Sequence, residues 1–272
     1  MPYFTGKTAA ITGASSGIGR ALAQHLGDQG CSLFLSDVDV AGLAETAASL
    51  PASVRCETSV VDVADKGQVE RWSAEVGQLT DHLDLLVNNA GVGLIGDAVT
   101  TPLEDFHWLM NINFWGVVHG CQAFLPLLDK SDRGHLVNIS SIFGIVAVPT
   151  QAAYNASKFA VKGYTEALRQ DLEIAGSAIE VCCVHPGGVG TNIALRARNT
   201  DPTVSGDDQH ARFTQFVRTR PEDAAAAILK AAEHGQRRLL LGSDARLLDW
   251  LQRLFPTRYP RFFQKQVRKG LP

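Results

Sequence analysis

The sequence predicts a single doubly wound α/β domain, with a seven-stranded parallel sheet and helices on both of its faces. Three observations point there. Its strand-like segments are continuous apolar runs, such as "KTAAIT" and "LDLLVNN", which suits strands covered on both sides. Those runs alternate with helix-like segments, the rhythm of a parallel sheet built from crossover connections. The first run opens directly into a glycine-rich turn, "TGASSGIG" (12–19), in the strand–turn–helix setting that a phosphate-binding loop requires.

The elements follow in order. Residues 7–12 read as the first strand, and a helix opens near Gly17. "CSLFLS" (31–36) is the second strand, followed by an alanine-rich helix from Asp39 to Leu50. A third strand lies within "SVRCETSVVDV" (53–63), and Asp65 to Leu79 is helical. "LDLLVNN" (83–89) is the fourth strand. A long helix then begins at Thr101-Pro102, with Thr101 as N-cap, Pro102 as first helical residue and Glu104 as capping-box partner. "GHLVNIS" (134–140) is the fifth strand, and a helix runs from Thr150 to Ala175. "AIEVCCVHP" (178–186) is the sixth strand; after a helix over 221–235, "RRLLLG" (237–242) is the seventh. The stretch from Thr191 to Arg220 is polar, Arg-rich and weakly periodic. It reads as a substrate-loop insertion over the carboxyl edge of the sheet, where ligands bind in such folds. The expected layout is a dinucleotide-binding and catalytic domain over 1–243 and a basic amphipathic extension over 244–272.

Composition narrows the function. The chain has 272 residues, 45% hydrophobic and 19% charged, enough to bury a sizeable core. A net charge of −3 gives no basic field for nucleic acid. No apolar run of about 18 residues appears, so no membrane-spanning helix is expected. The N-terminus lacks a basic segment followed by an apolar core, so no signal peptide is read. The five cysteines include no CxxC pair, which suits a reduced, cytoplasmic protein. The eight histidines form no metal-ligand spacing, and no GxSxG elbow exists for a hydrolase, so no metal is expected.

Gly13, Gly17 and Gly19 permit a tight turn and a close approach of backbone to a pyrophosphate at a helix N-terminus, with Ser15, Ser16 and Ile18 completing the loop. Asp37 ends the second strand, 18 residues after Gly19. A carboxylate there accepts hydrogen bonds from an adenosine ribose and repels a 2′-phosphate. The neighbours Ser15, Ser16 and Val38 bring no cation, so NAD is favoured over NADP. A solvated turn aspartate is the competing reading.

Tyr154 stands four residues before Lys158 in "AAYNASKFA". On a helix this spacing places both on one face. A cation about 4 Å from a phenol, at an effective dielectric near 20, is worth about 4 kcal/mol. That would lower the phenol pKa by up to about three units. An exposed surface pair has the same spacing, so these two residues alone decide nothing.

Together with "NNAG" (88–91), "NFWG" (113–116), a serine thirteen positions before Tyr154, and "HPGGVGTN" (185–192), the chain resembles the short-chain dehydrogenase/reductase family over residues 5–242. The resemblance implies a Rossmann-type fold with Tyr154 as general acid/base. Lys158 would also bond the nicotinamide ribose, and Ser141 would hold the substrate oxygen. Asn113, matched through Gly116 in preference to the nearby Asn111, would hold a water in the proton relay. Asn88, Asn89, Ala90 and Gly91 would line the adenosine side, and Asp62, with Val63, would meet the adenine. Pro186, Gly187, Val189 and Thr191 would form the nicotinamide-side loop. His185, just before that loop, reads as structural.

The segment after Ser141 carries apolar Ile142, Phe143, Val146 and Val148, and "GVGLIG" (91–96) is apolar too. With Ser141, Phe143 and Tyr154 around the substrate, a small hydrophobic secondary alcohol or ketone is expected. Mere packing of these side chains remains the competing reading. The long helices from Pro102 and Thr150 resemble those that pair between subunits in this family, so a homodimer or homotetramer is expected. The tail carries Arg246, Arg253, Arg258, Arg261, Lys265, Arg268 and Lys269 against Asp244 and Asp249, or +7 − 2 = +5, leaving −3 − 5 = −8 elsewhere. It could be a lid, a subunit contact or a membrane-surface helix; the first two are favoured. An NAD-dependent oxidoreductase is the main functional reading. A dinucleotide-binding regulatory or scaffold protein without turnover is the alternative, and an intact Asn113, Ser141, Tyr154 and Lys158 weighs against it.

Overall fold

In the computed structural model, residues 1–193, 196–200, 217–261 and 263–264 are described. The strands are β1 (Thr8–Thr12), β2 (Ser32–Asp37), β3 (Cys56–Val60), β4 (Leu85–Asn88), β5 (Leu94–Ile95), β6 (His135–Ile139), β7 (Glu180–Pro186), β8 (Arg198–Asn199) and β9 (Arg238–Leu241). The helices are α1 (Gly17–Asp28), α2 (Val40–Ala48), α3 (Lys66–Leu79), α4 (Leu103–Met110), α5 (Gly116–Leu128), α6 (Ala152–Ile174), α7 (Pro221–Glu233) and α8 (Ser243–Leu254). Seven strands form one sheet in the order β3-β2-β1-β4-β6-β7-β9, every pair parallel. The chain winds outward from β1 to β3, then returns past β1 to β4. That reversal leaves a crevice at the carboxyl ends of β1 and β4, where ligands bind in open α/β sheets.

The apolar runs fill the sheet as their composition predicts. All five residues of β1 are buried, and Ile11 sits level with Leu35 of β2 and Val87 of β4. One core layer joins Ile11, Leu33 and Val87 to Leu22 and Leu26 of α1 and to Ile228 of α7. The other joins Ala10, Phe34 and Leu86 to Val69 and Trp72 of α3, Phe124 of α5 and Val161 of α6. Trp72 and Phe124 meet edge to face with ring centroids 4.8 Å apart. Alternating odd and even strand positions thus feed opposite faces, as the period of two requires.

The helix expected from Thr101 differs. Its N-cap is Pro102, with no side-chain cap hydrogen bond. Thr101 instead turns its hydroxyl back to the Asp97 carbonyl at 2.7 Å, so the capping box with Glu104 does not form. A π-helical turn, Asn111–Trp115, then interrupts the helix before α5 begins. Such a turn inserts one extra residue and is frequent at functional sites.

The stretch after Thr191 lies largely outside the described residues. Its base is closed by a bridge between Val189 and Thr219, and β8 pairs with β5 at the carboxyl edge. Arg198 of β8 stacks over the Trp108 ring, 3.6 Å from its centroid, and bonds Asp105 at 2.8 Å. In the tail, Ala245 and Leu248 of α8 and the later Tyr259 and Phe263 pack on Ile142, Ile145 and Val146. Leu247, Trp250 and Leu254 of the same helix are exposed. Lys265, Arg268 and Lys269 lie outside the described residues.

Candidate active site

The glycine turn is shaped by its own backbone. Gly13 and Gly17 have φ of 68° and 54°, a region that favours glycine. A Cβ on Gly13 would sit 2.8 Å from Cα of Ala90, and one on Gly19 would collide with the Gly13 carbonyl oxygen. Asn89 clasps the turn by donating from Nδ2 to the carbonyls of Thr12 and Gly13, each at 3.0 Å. The Thr12 hydroxyl accepts from the amides of Asn89 and Ala90, each at 3.0 Å. At the N-terminus of α1, Ser16 makes no side-chain cap bond and the first turn carries no acid. Its amides and the positive end of the helix dipole therefore suit an anionic group such as a pyrophosphate. Thr191 comes within 3.1 Å of a Cβ placed on Gly17, so the loop after β7 closes over the glycine turn.

Asp37 sits at the carboxyl end of β2 and accepts from the Ser15 amide at 2.9 Å and the Asp39 amide at 3.0 Å. Each carboxylate oxygen keeps one lone pair for a hydroxyl partner. Asp62 is similarly held, accepting from the Ala64 amide at 2.9 Å. Val63 is buried against Gly116, where a Cβ would come within 2.7 Å of it. Asn88 differs from the expectation that it lines the adenosine side. It is buried and donates to Asn138 Oδ1 at 2.8 Å, while Asn138 donates to Thr165 at 3.0 Å. As the last residue of β4 it lies on the sheet face covered by α5, beside Gly120, Cys121 and Asn138.

The four proposed catalytic side chains converge above β6 and α6. The Ser141 hydroxyl lies on the Tyr154 side of the site and favours the ionised phenol. Ser141 also accepts from the Phe143 amide at 3.1 Å, capping the short 3-10 turn Ile142–Gly144. The neighbouring Ser140 points away and donates to the Lys158 carbonyl at 2.8 Å. Lys158 is buried and donates to the Ile139 carbonyl at 3.1 Å. Asn113 is wholly buried in the π-helical turn, whereas Asn111 is exposed. Asn113 accepts from the Val92 amide at 2.8 Å and donates to the Val92 carbonyl at 2.9 Å and to Ser157 at 3.3 Å. A Cβ on Gly91 would stand 3.2 Å from Asn113 Oδ1 and 3.5 Å from Lys158 Nζ, so a glycine there keeps these two side chains close.

The electrostatics correct one expectation. Burial pushes the Tyr154 phenol up to about 12, with the Ser141 hydroxyl opposing only in part. The same burial pulls the Lys158 ammonium down to about 8. Lys158 therefore does not make Tyr154 acidic in the free protein. Its nitrogen lies 5.6 Å from the ring centroid and is turned to a carbonyl, so its attraction does not outweigh the desolvation of a phenolate.

The apolar segment after Ser141 divides between the two readings. Ile142 and Val146 are buried against the C-terminal helix and pack. Phe143 meets Tyr154 edge to face, with centroids 6.1 Å apart. Tyr154 also packs on the apolar cluster of Leu94, Leu109 and Ala153, as Val92 and Trp108 do.

Two participants were not legible as such from sequence. Ser157 links Asn113 to the Tyr154 carbonyl, donating at 2.8 Å; its place three residues after Tyr154 was the available signal. His185 is wholly buried, with Nδ1 3.0 Å from the Ser141 carbonyl. Burial holds it down at about 4, so it is neutral at pH 7 and bonds as a donor through Nδ1.

The sequence profile described as short chain dehydrogenase matches residues 7–202. The chain belongs to the short-chain dehydrogenase family. This short-chain dehydrogenase is 42% identical to a Mycobacterium tuberculosis protein named as an oxidoreductase, SadH, over 100% of this chain and 99% of that one. It is 36% identical to a 3-ketodihydrosphingosine reductase of Bacteroides thetaiotaomicron, covering 76% of this chain and 73% of that one. In structure it resembles a short-chain dehydrogenase/reductase from Burkholderia phymatum in complex with NAD, at a TM-score of 0.87, 32% identity, and 96% and 98% coverage. Among the described residues no helix is long and apolar enough to cross a membrane, and no group of metal-ligating side chains forms.

Proposed function

We propose that this short-chain dehydrogenase uses NAD to interconvert a hydrophobic secondary alcohol and its ketone. The observation that carries the proposal is the grouping of Ser141 and Tyr154 beside buried Lys158, with Tyr154 packed on an apolar cluster. NAD would lie along the crevice. The α1 turn (Gly13, Ser15, Ser16, Gly17, Ile18, Gly19) would take its phosphates, Asp37 a ribose, and Asp62 and Val63 the adenine. Asn89, Ala90 and Gly91 would flank it, and Pro186, Gly187, Val189 and Thr191 would hold the nicotinamide, whose chemistry is hydride exchange. The Burkholderia structure, named as an NAD complex, supports that choice, as does the carboxylate of Asp37.

In the reducing direction Ser141 holds the ketone oxygen by donating its hydroxyl hydrogen. Tyr154, a neutral phenol at physiological pH, gives that oxygen a proton. Lys158, mostly protonated at pH 7, then favours the phenolate, and Asn113 holds the relay that restores the proton. A matched relative named as a keto-group reductase agrees with a ketone. Replacing Tyr154 with Phe keeps the ring and removes the proton. Turnover should fall roughly 10²- to 10⁴-fold while NAD binding stays within twofold. Near-normal turnover from the folded variant would reject the assignment.

The chain would act as a homodimer or homotetramer. Support comes from apolar side chains left exposed on the expected pairing helices, Leu103 on α4 and Phe159 on α6, and from Trp115 between α4 and α5.

A further inference from the structure

The loops that carry the proposed site are tied down by the far end of the chain. Asp244, in the first turn of α8, accepts from the Gly188 amide through Oδ2 at 2.7 Å. Its carboxylate is wedged between two glycines: a Cβ on Gly187 or on Gly242 would collide with it. Its Oδ1 is buried and has no hydrogen-bond partner among the described residues. Fifteen residues on, Tyr259 accepts through its hydroxyl from the Ala147 amide at 3.1 Å. Tyr259, Phe263, Ala245 and Leu248 form one cluster with Ile142, Ile145 and Val146. Ser141 and Phe143 sit on that same loop, and its other anchor is His185 on the Ser141 carbonyl.

We propose that the C-terminal segment is part of the active-site wall, with Asp244 positioning the Pro186–Val189 loop and Tyr259 positioning the Ser141–Ala147 loop. This rests on the oxidoreductase reading for the functions of the two loops. A charged acceptor is about twice as strong as a neutral one, and it stands here where the loop would face the nicotinamide. The Tyr259 bond is neutral and acts on the substrate side. The two residues therefore predict separate effects, one on cofactor and one on substrate. A segment that merely covered apolar surface would lower stability without that division.

The test uses the full chain with Asp244→Ala, Asp244→Asn and Tyr259→Phe. NAD affinity is measured by calorimetry without substrate, and KM and kcat with a panel of apolar ketones. Asp244→Ala should weaken NAD binding roughly tenfold or more, and Asp244→Asn, whose side-chain oxygen still accepts, should recover to within about threefold. Tyr259→Phe keeps the ring packing and should raise the ketone KM roughly three- to tenfold, with kcat and NAD affinity within twofold. Unchanged NAD affinity in Asp244→Ala, unchanged KM in Tyr259→Phe, or equal shifts of both parameters in both variants would overturn the proposal. Hydrogen exchange at the Gly188 and Ala147 amides reads both contacts without cofactor or substrate. If the wild-type chain reduces no ketone, unchanged exchange in the variants rejects the brace. Accelerated exchange in that case keeps the brace and rejects only the oxidoreductase reading.

Discussion

Lys158 holds its ammonium nitrogen 5.6 Å from the centre of the Tyr154 ring and 3.1 Å from the Ile139 carbonyl oxygen. Lys158 is buried and Tyr154 partly so, and desolvation shifts the two in opposite directions. Lys158 is drawn to about 8 and Tyr154 raised to about 12. At neutral pH the pair is a cation beside a neutral phenol, the state suited to protonating a ketone.

The lysine carries a pH signature. Its folded pKa is lowered from 10.5 to about 8, so between those values the unfolded chain binds more protons than the folded one. Stability from this group must therefore rise with pH across that window, and its cost is fully present below about pH 8. Lys158→Met removes the titration. Relative to wild type, the variant should be more stable at pH 7 than at pH 10.5 by about 3 kcal/mol. Denaturant unfolding at both values checks it; a difference independent of pH would show that burial does not depress Lys158.

Asp37 should set cofactor choice. Its two oxygens are held by the amides of Ser15 and Asp39, so the charge is fixed in place. Asp37→Ser with Val38→Arg removes a repulsive group and adds a phosphate partner, which should raise NADP use relative to NAD at least tenfold. Steady-state kinetics with both cofactors decide this. A wild-type enzyme that already prefers NADPH would refute the assignment.

Gly19 has no room for a side chain, because its Cβ would strike the Gly13 carbonyl. Gly19→Ala should move the turn away from Asn89 and cost about 1–3 kcal/mol in stability, together with most of the NAD affinity. Thermal unfolding and calorimetry measure the two losses. A variant with wild-type affinity would mean that the turn does not hold the cofactor.

Light scattering at micromolar concentration should report a dimer or tetramer. Trp115 is 47% exposed, and Trp115→Glu places a charge on the expected contact, so it should shift the distribution toward smaller species. A monomeric wild-type chain would remove the assembly from the proposal.

Local pattern alone determined most of the architecture. Apolar runs from Lys7 to Thr12 and from Leu83 to Asn89 gave buried strands, because parallel strands must be covered on both faces. The family resemblance pointed to Ser141 and Asn113 over their neighbours; in the structure Ser140 bonds the Lys158 carbonyl, and Asn113 is buried while Asn111 is exposed. Tertiary structure decided what depends on depth and distant partners. The Thr101 capping box gave way to Pro102 and a π-helical turn, since a cap's hydrogen bond competes with alternatives that only the folded loop supplies. The direction of the Tyr154 shift was likewise invisible in a four-residue spacing. Helical periodicity reports the shared face of Tyr154 and Lys158, but the burial of Tyr154 comes from Leu94, Leu109 and Phe143 brought from elsewhere in the chain. Asp244 and Tyr259 reach Gly188 and Ala147 across 56 and 112 residues. Contacts of that separation leave no periodic trace in sequence, because each end is chosen for a partner that only folding brings near.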